Sequence, residues 1–546
     1  MHLFTTVAGL RSYLEMHRSG RYLSEAAFYE ASPIGAAPEV GLVPTMGALH
    51  AGHLSLIQRA RRENQIVVVS IFVNPLQFGP GEDFQQYPRS LEQDRSLCEK
   101  AGVDIIFVPT PEEMGIGSHT QVVPPEAMTS ILCGSSRIGH FQGVATIVTK
   151  LLNVVQPNRA YFGKKDAQQL AIIQRVVMDL NVPVEIVPCP TVREPSGLAL
   201  SSRNQYLTAA QREQAAVIYR GLQRAEQAFR AGEALSKNLI ENVKAELQTV
   251  AEIVPEYIEI VHPTTLAPLE KVEDAGLLAI AVRLSSTRLI DNLLLCNRKP
   301  IVAIDGPAGA GKSTVARQVA QALNLLYLDT GAMYRALTWL VLQSGIAVDD
   351  ESAVAELVSQ CEIEFQAQRA EAGSDGEATK RRESGDGGQN PQPSQPSLPS
   401  ILINGQDVTA AIRSLEVTSQ VSAIAAQPAV RKELVRQQRR YGKKGGIVAE
   451  GRDVGTFVFP DAELKIFLTA SVQERARRRQ QDLKNQGRGD LNLDELEQAI
   501  YERDRKDSTR ALAPLRKAAD AIEIQSDHLT IADVIDQIVQ LYQARG

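Results

Sequence analysis

Cysteine, tryptophan and long apolar runs are what this chain has least of. Its 546 residues include 5 cysteines and 1 tryptophan, and aromatic residues make up 5%. The cysteines (Cys98, Cys133, Cys189, Cys296 and Cys361) are odd in number, scattered and form no CxxC pair. That excludes a disulfide framework and a cysteine-built zinc site. No apolar run reaches the ~18 residues a membrane helix needs. The opening MHLFTTVAGLRSYLEMHRSG lacks the basic region, apolar core and small-residue cleavage site of a secretory signal. The expected setting is therefore the cytoplasm, with no membrane partner. A formal net charge of -6 gives no global field for nucleic acid. Basic clusters at Arg59, Arg61 and Arg62, and at Arg475, Arg477, Arg478 and Arg479, remain candidate phosphate sites. The 44% hydrophobic and 22% charged fractions are those of a folded chain, and the length predicts three or four units at ~150 residues each.

What is present is a succession of strand and helix patterns. VGLVP (40–44), IVVVSIFV (66–73) and VDIIFVP (103–109) lack polar alternation and read as buried parallel strands. HLSLIQRARREN and SLEQDRSLCEKAG between them carry apolar residues at helical spacing, with Gly102 available as a C-cap. Strand, helix, strand predicts an α/β, doubly wound, Rossmann-like domain over 1–207. Residues 208–296 are helix-rich and then strand-like, which predicts a small α+β domain. At 297 the pattern restarts with IVAIDG and opens a second α/β unit that runs to 546. Inside it, 366–400 has no aromatic residue and almost no large aliphatic one, and reads as a disordered insertion.

Gly306 to Ser313 fit GxxxxGK[ST]. Gly306, Gly309 and Gly311 let backbone N–H groups wrap a polyphosphate, and the following helix, entered through Thr314, presents its positive N-terminus. Lys312 supplies mobile charge to the β/γ-phosphates and the Ser313 hydroxyl can ligate Mg2+. IVAID before the loop and STVARQVAQAL after it separate a P-loop from an incidental glycine turn. Downstream come Arg335, Arg452, Arg503 and Arg510. One arginine alone is usually a solvated charge, but four following a P-loop suit transfer between two phosphates.

GPAGAGKST, LDTGAMYRA, GRDVGTFVFPDAELKIFL and ERDRKDSTRALAPL together resemble bacterial cytidylate kinase across 298–546. The resemblance implies a P-loop nucleoside monophosphate kinase that moves the γ-phosphoryl group of ATP to CMP or dCMP. It implies Thr330, Arg335, Arg452 and Arg510 at the CMP phosphate. Ser422, Arg431 and Asp453 would read cytosine, Arg503 and Asp507 would hold the ribose, and the helix around Arg478 and Arg479 would form a lid over ATP. The insertion 366–400 falls in the family's CMP-side insert.

The first module carries Met46, Gly47, Ala48, Leu49, His50, Ala51, Gly52 and His53 between a strand and a helix. An HxGH sequence there places two imidazoles and a helix N-terminus around one anion, while its glycine admits the nucleotide. A bare HxGH is weak, and three further clusters strengthen it. Asn74 and Gln77 follow a strand end, where doubly wound folds bind ligands. Gly163, Lys164, Lys165, Asp166 and Gln169 offer cation, carboxylate and amide. Leu200, Ser201, Ser202 and Arg203 offer hydroxyls and a cation for departing pyrophosphate.

PTMGALHAGH, SIFVNPLQF, YPR, GHFQGVATIVTKL, QQLAII and LALSSRNQYL resemble pantothenate synthetase (pantoate–β-alanine ligase) over 1–295. The resemblance implies attack of the pantoate carboxylate on the α-phosphorus of ATP, then displacement of AMP by the β-alanine amine. It implies His50, His53, Lys165 and Arg203 in catalysis, with His53 as proton donor. Met46 to His53, Gly163 to Asp166, Val192 and Leu200 to Arg203 would line ATP. Gln77, Gln169 and Asn74 would hold pantoate, and the enzyme would be a homodimer through this module. Two departures stand out: Lys164 occupies the place of an expected acid, and Gln142 a place where some members carry arginine. The rivals are another HxGH nucleotidyltransferase, a synthetase acting on tRNA and a non-catalytic nucleotide sensor. The absence of KMSKS, where LALSSRN stands, argues against tRNA. Intact Lys312, Ser313, His50 and His53 argue against a sensor.

Overall fold

Uninterrupted β-branched runs become central strands because both sheet faces are covered by helices. The computed structural model describes residues 1–19, 38–79, 82, 84–117, 119–366, 400–485, 492–509, 513–518 and 520–544. Arg510 and all but the end residues of the 366–400 insertion lie outside the described residues. The chain divides into two compact units, Met1–Asn297 and Arg298–Gly546.

In the first unit β1 (His2–Phe4), β2 (Val40–Thr45), β3 (Ile66–Ile71), β4 (Ile105–Phe107), β5 (Arg159–Gly163) and β6 (Glu185–Cys189) form one sheet. Their order is β1-β4-β3-β2-β5-β6, and every pairing is parallel. Every residue of β3 is buried. Helices α1 (Val7–Arg18), α2 (Ala51–Glu63), α3 (Leu91–Lys100), α4 (His140–Val155) and α5 (Ala167–Asp179) connect the strands. Gly102, at φ +75°, lies just past the end of α3, where the chain needs a left-handed residue. Leu42, Val68, Ile105, Val144 and Leu151 share one core, which packs α4 against the strands. The chain runs from β2 to β3 on one side and later reaches β5 on the other. Doubly wound sheets bind ligands outside the strand ends at such a reversal. The loops after β2 and β5 flank it.

Residues 208–296 form the expected α+β layer. Helices α6 (Val217–Arg230) and α7 (Ser236–Leu247) share a core with the antiparallel strands β7 (Ile253–Val261), β8 (Ala275–Leu284) and β9 (Thr287–Cys296). The apolar stretch 277–295 is a hairpin, with Ser285 at φ +54° in its turn.

The second unit holds β10 (Val302–Asp305), β11 (Leu326–Asp329), β12 (Ile363–Gln366), β13 (Ser400–Ile403), β14 (Gln406–Asp407), β15 (Ile447–Gly451), β16 (Leu464–Thr469) and β17 (Ile522–Gln525). Five of these form a parallel sheet in the order β11-β15-β10-β16-β17. The other three form an antiparallel sheet, β12-β13-β14, whose ends border the insertion. The helices that matter for the site are α8 (Lys312–Ala322), α9 (Thr330–Gln343), α10 (Leu415–Ala426), α11 (Pro428–Gly442), α12 (Val472–Asn485) and α13 (Leu493–Thr509). The P-loop leaves β10 with the end of β15 beside it. Among the described residues, no helix is long and apolar enough to cross a membrane.

Each unit has its own cores, so damage should stay local. Leu42→Ala removes a fully buried side chain from the first unit and is expected to cost it about 2–5 kcal/mol. Urea unfolding followed by far-UV circular dichroism and by the fluorescence of Trp339, which packs in a core of the second unit, checks this: a transition should move to lower urea by circular dichroism while the Trp339 midpoint holds.

Candidate active sites

In the first unit β2 ends at Thr45, whose hydroxyl donates to the Ser70 carbonyl at 2.8 Å and accepts the Gly47 N–H at 3.2 Å. The chain then turns through Gly47 (φ +82°) and Ala48 (φ +51°). A left-handed non-glycine residue costs of order 1 kcal/mol and persists only where its surroundings hold it. The holding group is Asp94 of α3, which accepts the N–H of Ala48 at 2.9 Å and of Leu49 at 2.8 Å. Those two N–H groups are therefore engaged by the protein itself.

His50 caps that helix. Its Nδ1 accepts the Gly52 N–H at 3.1 Å, and His53 Nδ1 accepts the His50 N–H at 3.4 Å. A Cβ on Gly52 would come within 2.8 Å of the His50 ring, so glycine is required there. With both Nδ1 atoms accepting, each neutral ring carries its proton on Nε2. Burial first, then Lys165, lowers the His50 pKa to about 4. Burial first, then His50, lowers that of His53 to about 3. Near neutral pH the helix start therefore presents two uncharged N–H donors, with ring centroids 4.1 Å apart.

The other sequence-predicted residues gather around this turn. Ser202 donates to the Ala48 carbonyl at 3.4 Å, and Gln77 Nε2 reaches Met46 Sδ at 3.0 Å. Asn74, 2% exposed, gives its amide to Gln77 Oε1 at 3.1 Å and to the Gly143 carbonyl at 3.2 Å, so it acts by holding Gln77. Lys165, Asp166, Gln169, Ser201 and Arg203 line a cavity of about 530 Å3. The neighbouring Gln168 is buried and braces the Met128–Cys133 segment, with bonds to the Met128 and Ile131 carbonyls and the Cys133 N–H. Gly163 ends β5, and the Lys164 and Lys165 carbonyls accept from Asn292 at 3.0 and 2.7 Å. The Val192 carbonyl accepts the Leu200 N–H at 3.0 Å, which closes the loop that carries Ser201 and Arg203. His50, His53, Asn74 and Gln77 are not part of that cavity wall. The two histidines are linked to it through Lys165 and Asp166, whose charges act on both imidazoles.

Gln142 of α4 pairs with Gln121, away from the turn. In the first basic cluster two of the three arginines have partners within the protein. Arg59 pairs with Glu63 at 2.9 Å and Arg61 with Asp104 at 2.6 Å, and both also donate to backbone carbonyls. Sequence reasoning missed Asp94, the Arg193–Asp291 pair at 2.6 Å, and Arg137. Arg137 pairs with Glu82 at 2.5 Å and, like His140 Nδ1 at 2.7 Å, donates to the Gln77 carbonyl. For Asp94 a signal existed: Leu97, Cys98 and Ala101 follow at helical spacing, which puts an acid on the apolar stripe of α3.

In the second unit Gly306, Gly309 and Gly311 all have φ between +79° and +151°. A Cβ on Gly306 would lie 1.9 Å from the Leu468 carbonyl oxygen. Lys312, 6% exposed, donates to the Pro307 carbonyl at 2.7 Å, and burial first, then Arg452, pushes its pKa down. Ser313 donates to Glu450 Oε2 at 2.9 Å, Tyr327 bonds the other oxygen, and Thr330 donates to the Glu450 carbonyl at 2.7 Å. Burial first, then Asp329, raises the Glu450 pKa. Asp305 accepts the Val454 and Gly455 N–H groups at 2.7 and 2.6 Å, and burial lifts its pKa to about 6.

A cleft of about 1290 Å3 runs from Gly309, Gly311, Lys312, Ser313 and Thr314 to the acceptor residues. Thr330, Arg335, Ser422 and Arg431 line it from α9, α10 and α11, and Arg452, Asp453, Arg503 and Asp507 from the β15 end and α13. Ion pairs fix three of these arginines: Arg431 with Asp453, Arg452 with Asp507 at 3.0 Å, and Arg335 with Asp329 at 3.0 Å. Arg478 and Arg479 of α12 line the cleft as well. Arg475, in the same basic run, is 4% exposed and braces the P-loop, with bonds to the Ala308 carbonyl at 3.1 Å and to Asp504 at 2.6 Å. Glu450 is the other residue the sequence hid. It ends a strand beside the P-loop strand, where a carboxylate and the loop hydroxyl suit a divalent cation. Among the described residues no cluster of three or more His, Cys, Asp or Glu could hold a metal alone. Mg2+ typically takes one or two carboxylates plus substrate phosphates, which the Ser313–Glu450 pair fits.

A family model described as pantoate-β-alanine ligase matches residues 15–294, and one described as cytidylate kinase matches 302–544. The chain is 61% identical over 554 residues to a bifunctional pantoate ligase/cytidylate kinase of Trichormus variabilis, covering 100% of this chain and 99% of the relative. A protein of the same name from Trichodesmium erythraeum is 55% identical over 556 residues, covering 100% and 98%. A crystal structure of pantothenate synthetase from Thermus thermophilus matches 54% of this chain and 99% of that chain at 46% identity and a TM-score of 0.48. Two clefts, two family models and full-length relatives agree, and the chain belongs to the bifunctional pantoate ligase/cytidylate kinase family.

Proposed function

We propose the following division of labour within the two activities of this family. In the first unit the pantoate carboxylate attacks the α-phosphorus of ATP and gives pantoyl-adenylate and pyrophosphate. The β-alanine amine then attacks the acyl carbonyl and AMP leaves. A carboxylate is inert to amines, and adenylation supplies the leaving group. The Nε2–H groups of His50 and His53 donate to phosphate oxygens as charge grows, and donors already in place lower that barrier most. His53 is the more deeply desolvated of the two, so its Nε2–H bond to a charged oxygen is the less screened by water. Lys165 and Arg203 balance the departing pyrophosphate. Gln77 and Gln169 orient pantoate, and Asn74 holds Gln77. The observation that carries this reading is that backbone N–H groups at the start of α2 donate to Nδ1 of both histidines, which leaves Nε2 to carry the proton.

In the second unit the P-loop N–H groups and Lys312 receive ATP. Thr330, Arg335 and Arg452, with Arg510, take the CMP phosphate. Ser422, Arg431 and Asp453 read the base, and Arg503 and Asp507 the ribose. Arg478 and Arg479 close over ATP. Mg2+ held by Ser313 and Glu450 would neutralise charge between the β- and γ-phosphates. The proposal includes a cytoplasmic setting, expected from the amino-acid composition, and a homodimer through the first unit, which rests on the resemblance alone; sedimentation of the chain tests the dimer.

Titration with a non-hydrolysable ATP analogue is expected to saturate at two equivalents per chain, and one equivalent would refute the two-site reading. Lys312→Ala should abolish CMP phosphorylation and leave pantothenate formation intact. His53→Ala should do the reverse, slowing adenylation by about 10²–10⁴. Steady-state assays of both reactions on each variant decide this.

Protonation should also weaken the first unit. His50, His53 and His140, the last lowered to about 4 chiefly by burial, are neutral when folded, while the unfolded chain titrates near ~6.5. Between those values the unfolded state binds more protons, so stability is full above ~6.5 and is lost as pH falls toward 4. Urea midpoints at pH 7 and pH 5 check it, and His140→Asn, which cannot titrate, should flatten the slope.

A further inference from the structure

The division of labour above leaves Asp94 unused, although it is 1% exposed and carries a carboxylate in the core of an α/β unit. Its two oxygens accept the N–H groups of Ala48 and Leu49, the residues that immediately precede His50. The Ser90 hydroxyl lies 3.4 Å from Oδ1. A Cβ on Gly47 would stand 3.0 Å from Oδ2, so the carboxylate packs against the turn itself. Negative charge this near a triphosphate site opposes nucleotide binding, so affinity is not what Asp94 contributes. Its two acceptors contribute direction. They hold Ala48 left-handed and so set where α2 starts, and the helix start sets both imidazoles through their Nδ1 bonds.

We infer that Asp94 is a positioning residue for adenylation, clamping the Ala48–Leu49 backbone so that the Nε2–H groups of His50 and His53 meet the phosphates as charge develops. This deepens the proposed role of the two histidines and rests on it.

The test uses the full chain carrying Asp94→Asn, which keeps the size but offers one acceptor oxygen for two N–H groups. Pantoate-dependent ATP–pyrophosphate exchange reads adenylation, and β-alanine attack on synthetic pantoyl-adenylate reads the second step. Exchange kcat should fall about a hundredfold, the effect of an ångström-scale misplacement. KM for ATP should stay within about threefold, as should aminolysis, because only a transition-state interaction is lost. The 15N spectrum of the histidines should lose the Nε2–H pattern at positions 50 and 53. Equal loss in both half-reactions, or exchange kcat within about threefold of wild type, overturns the inference.

If the variant fails to fold, an ester replacing the Leu49 amide removes one clamp bond and leaves Asp94 in place. It should slow exchange about tenfold, and an unchanged rate is equally fatal. His53→Ala separates the two levels: if it leaves exchange untouched, the histidine roles fall. If it slows exchange while Asp94→Asn does not, the Asp94 inference falls alone.

Discussion

A buried carboxylate that accepts two consecutive backbone N–H groups fixes a loop's direction more firmly than packing can. Each bond is charge-assisted, and breaking either leaves a buried anion short of a partner. Both units are built this way. Asp94 reaches across from α3 to Ala48 and Leu49. Asp305, at the end of the P-loop strand, reaches Val454 and Gly455, the residues after Arg452 and Asp453. In each case the pinned backbone carries the side chains proposed to meet a nucleotide. At Asp305 burial outweighs the two N–H partners and lifts its pKa to about 6. The ligand loops can be irregular because these anions over-determine them.

That dependence also explains what a single sequence reveals. Strand runs such as IVVVSIFV and the loop glycines announce themselves, because a buried parallel strand and a left-handed turn each demand particular residue types at adjacent positions. The α/β class, the division after Asn297 and the left-handed glycine turns that follow β2 and β10 were legible for that reason. Side-chain bonds that span long stretches leave no such mark. Glu450 binds Ser313 across 137 residues, and Arg475 binds Ala308 across 167. Charge counting misleads for the same reason. Arg59 and Arg61 are consumed by Glu63 and Asp104, and Arg475 is buried under the P-loop while Arg478 and Arg479 face the cleft. Adjacent glutamines cannot be told apart until helix phase is known: both Gln168 and Gln169 line the cavity, and Gln168 is the one bound to the Met128 and Ile131 carbonyls.

Three of the sparse cysteines, Cys98, Cys189 and Cys361, are buried and line neither cleft. Burial pushes Cys98 up to about 12 and Cys189 and Cys361 to about 11, so these thiols are protonated near neutral pH.

The two cradles solve opposite electrostatic problems. In the kinase cleft the cations are present before any phosphate, and they are kept from repelling one another by Asp329, Asp453 and Asp507. On the proposed reading, an incoming phosphate takes the place of those carboxylates on guanidinium groups that the fold already holds in the cleft. Lys312 is the exception. It is buried, donates to a loop carbonyl and is shifted toward neutrality, so polyphosphate is the partner that restores its charge. The ligase loop starts from neutral donors instead, because a permanently charged imidazole pair 4.1 Å apart would be self-repelling in a desolvated turn. Attack at the α-phosphorus makes a pyrophosphate leaving group whose charge appears only as the bond breaks. Donors that gain strength with that charge favour the transition state over bound ATP, which is the condition for raising kcat rather than merely tightening binding.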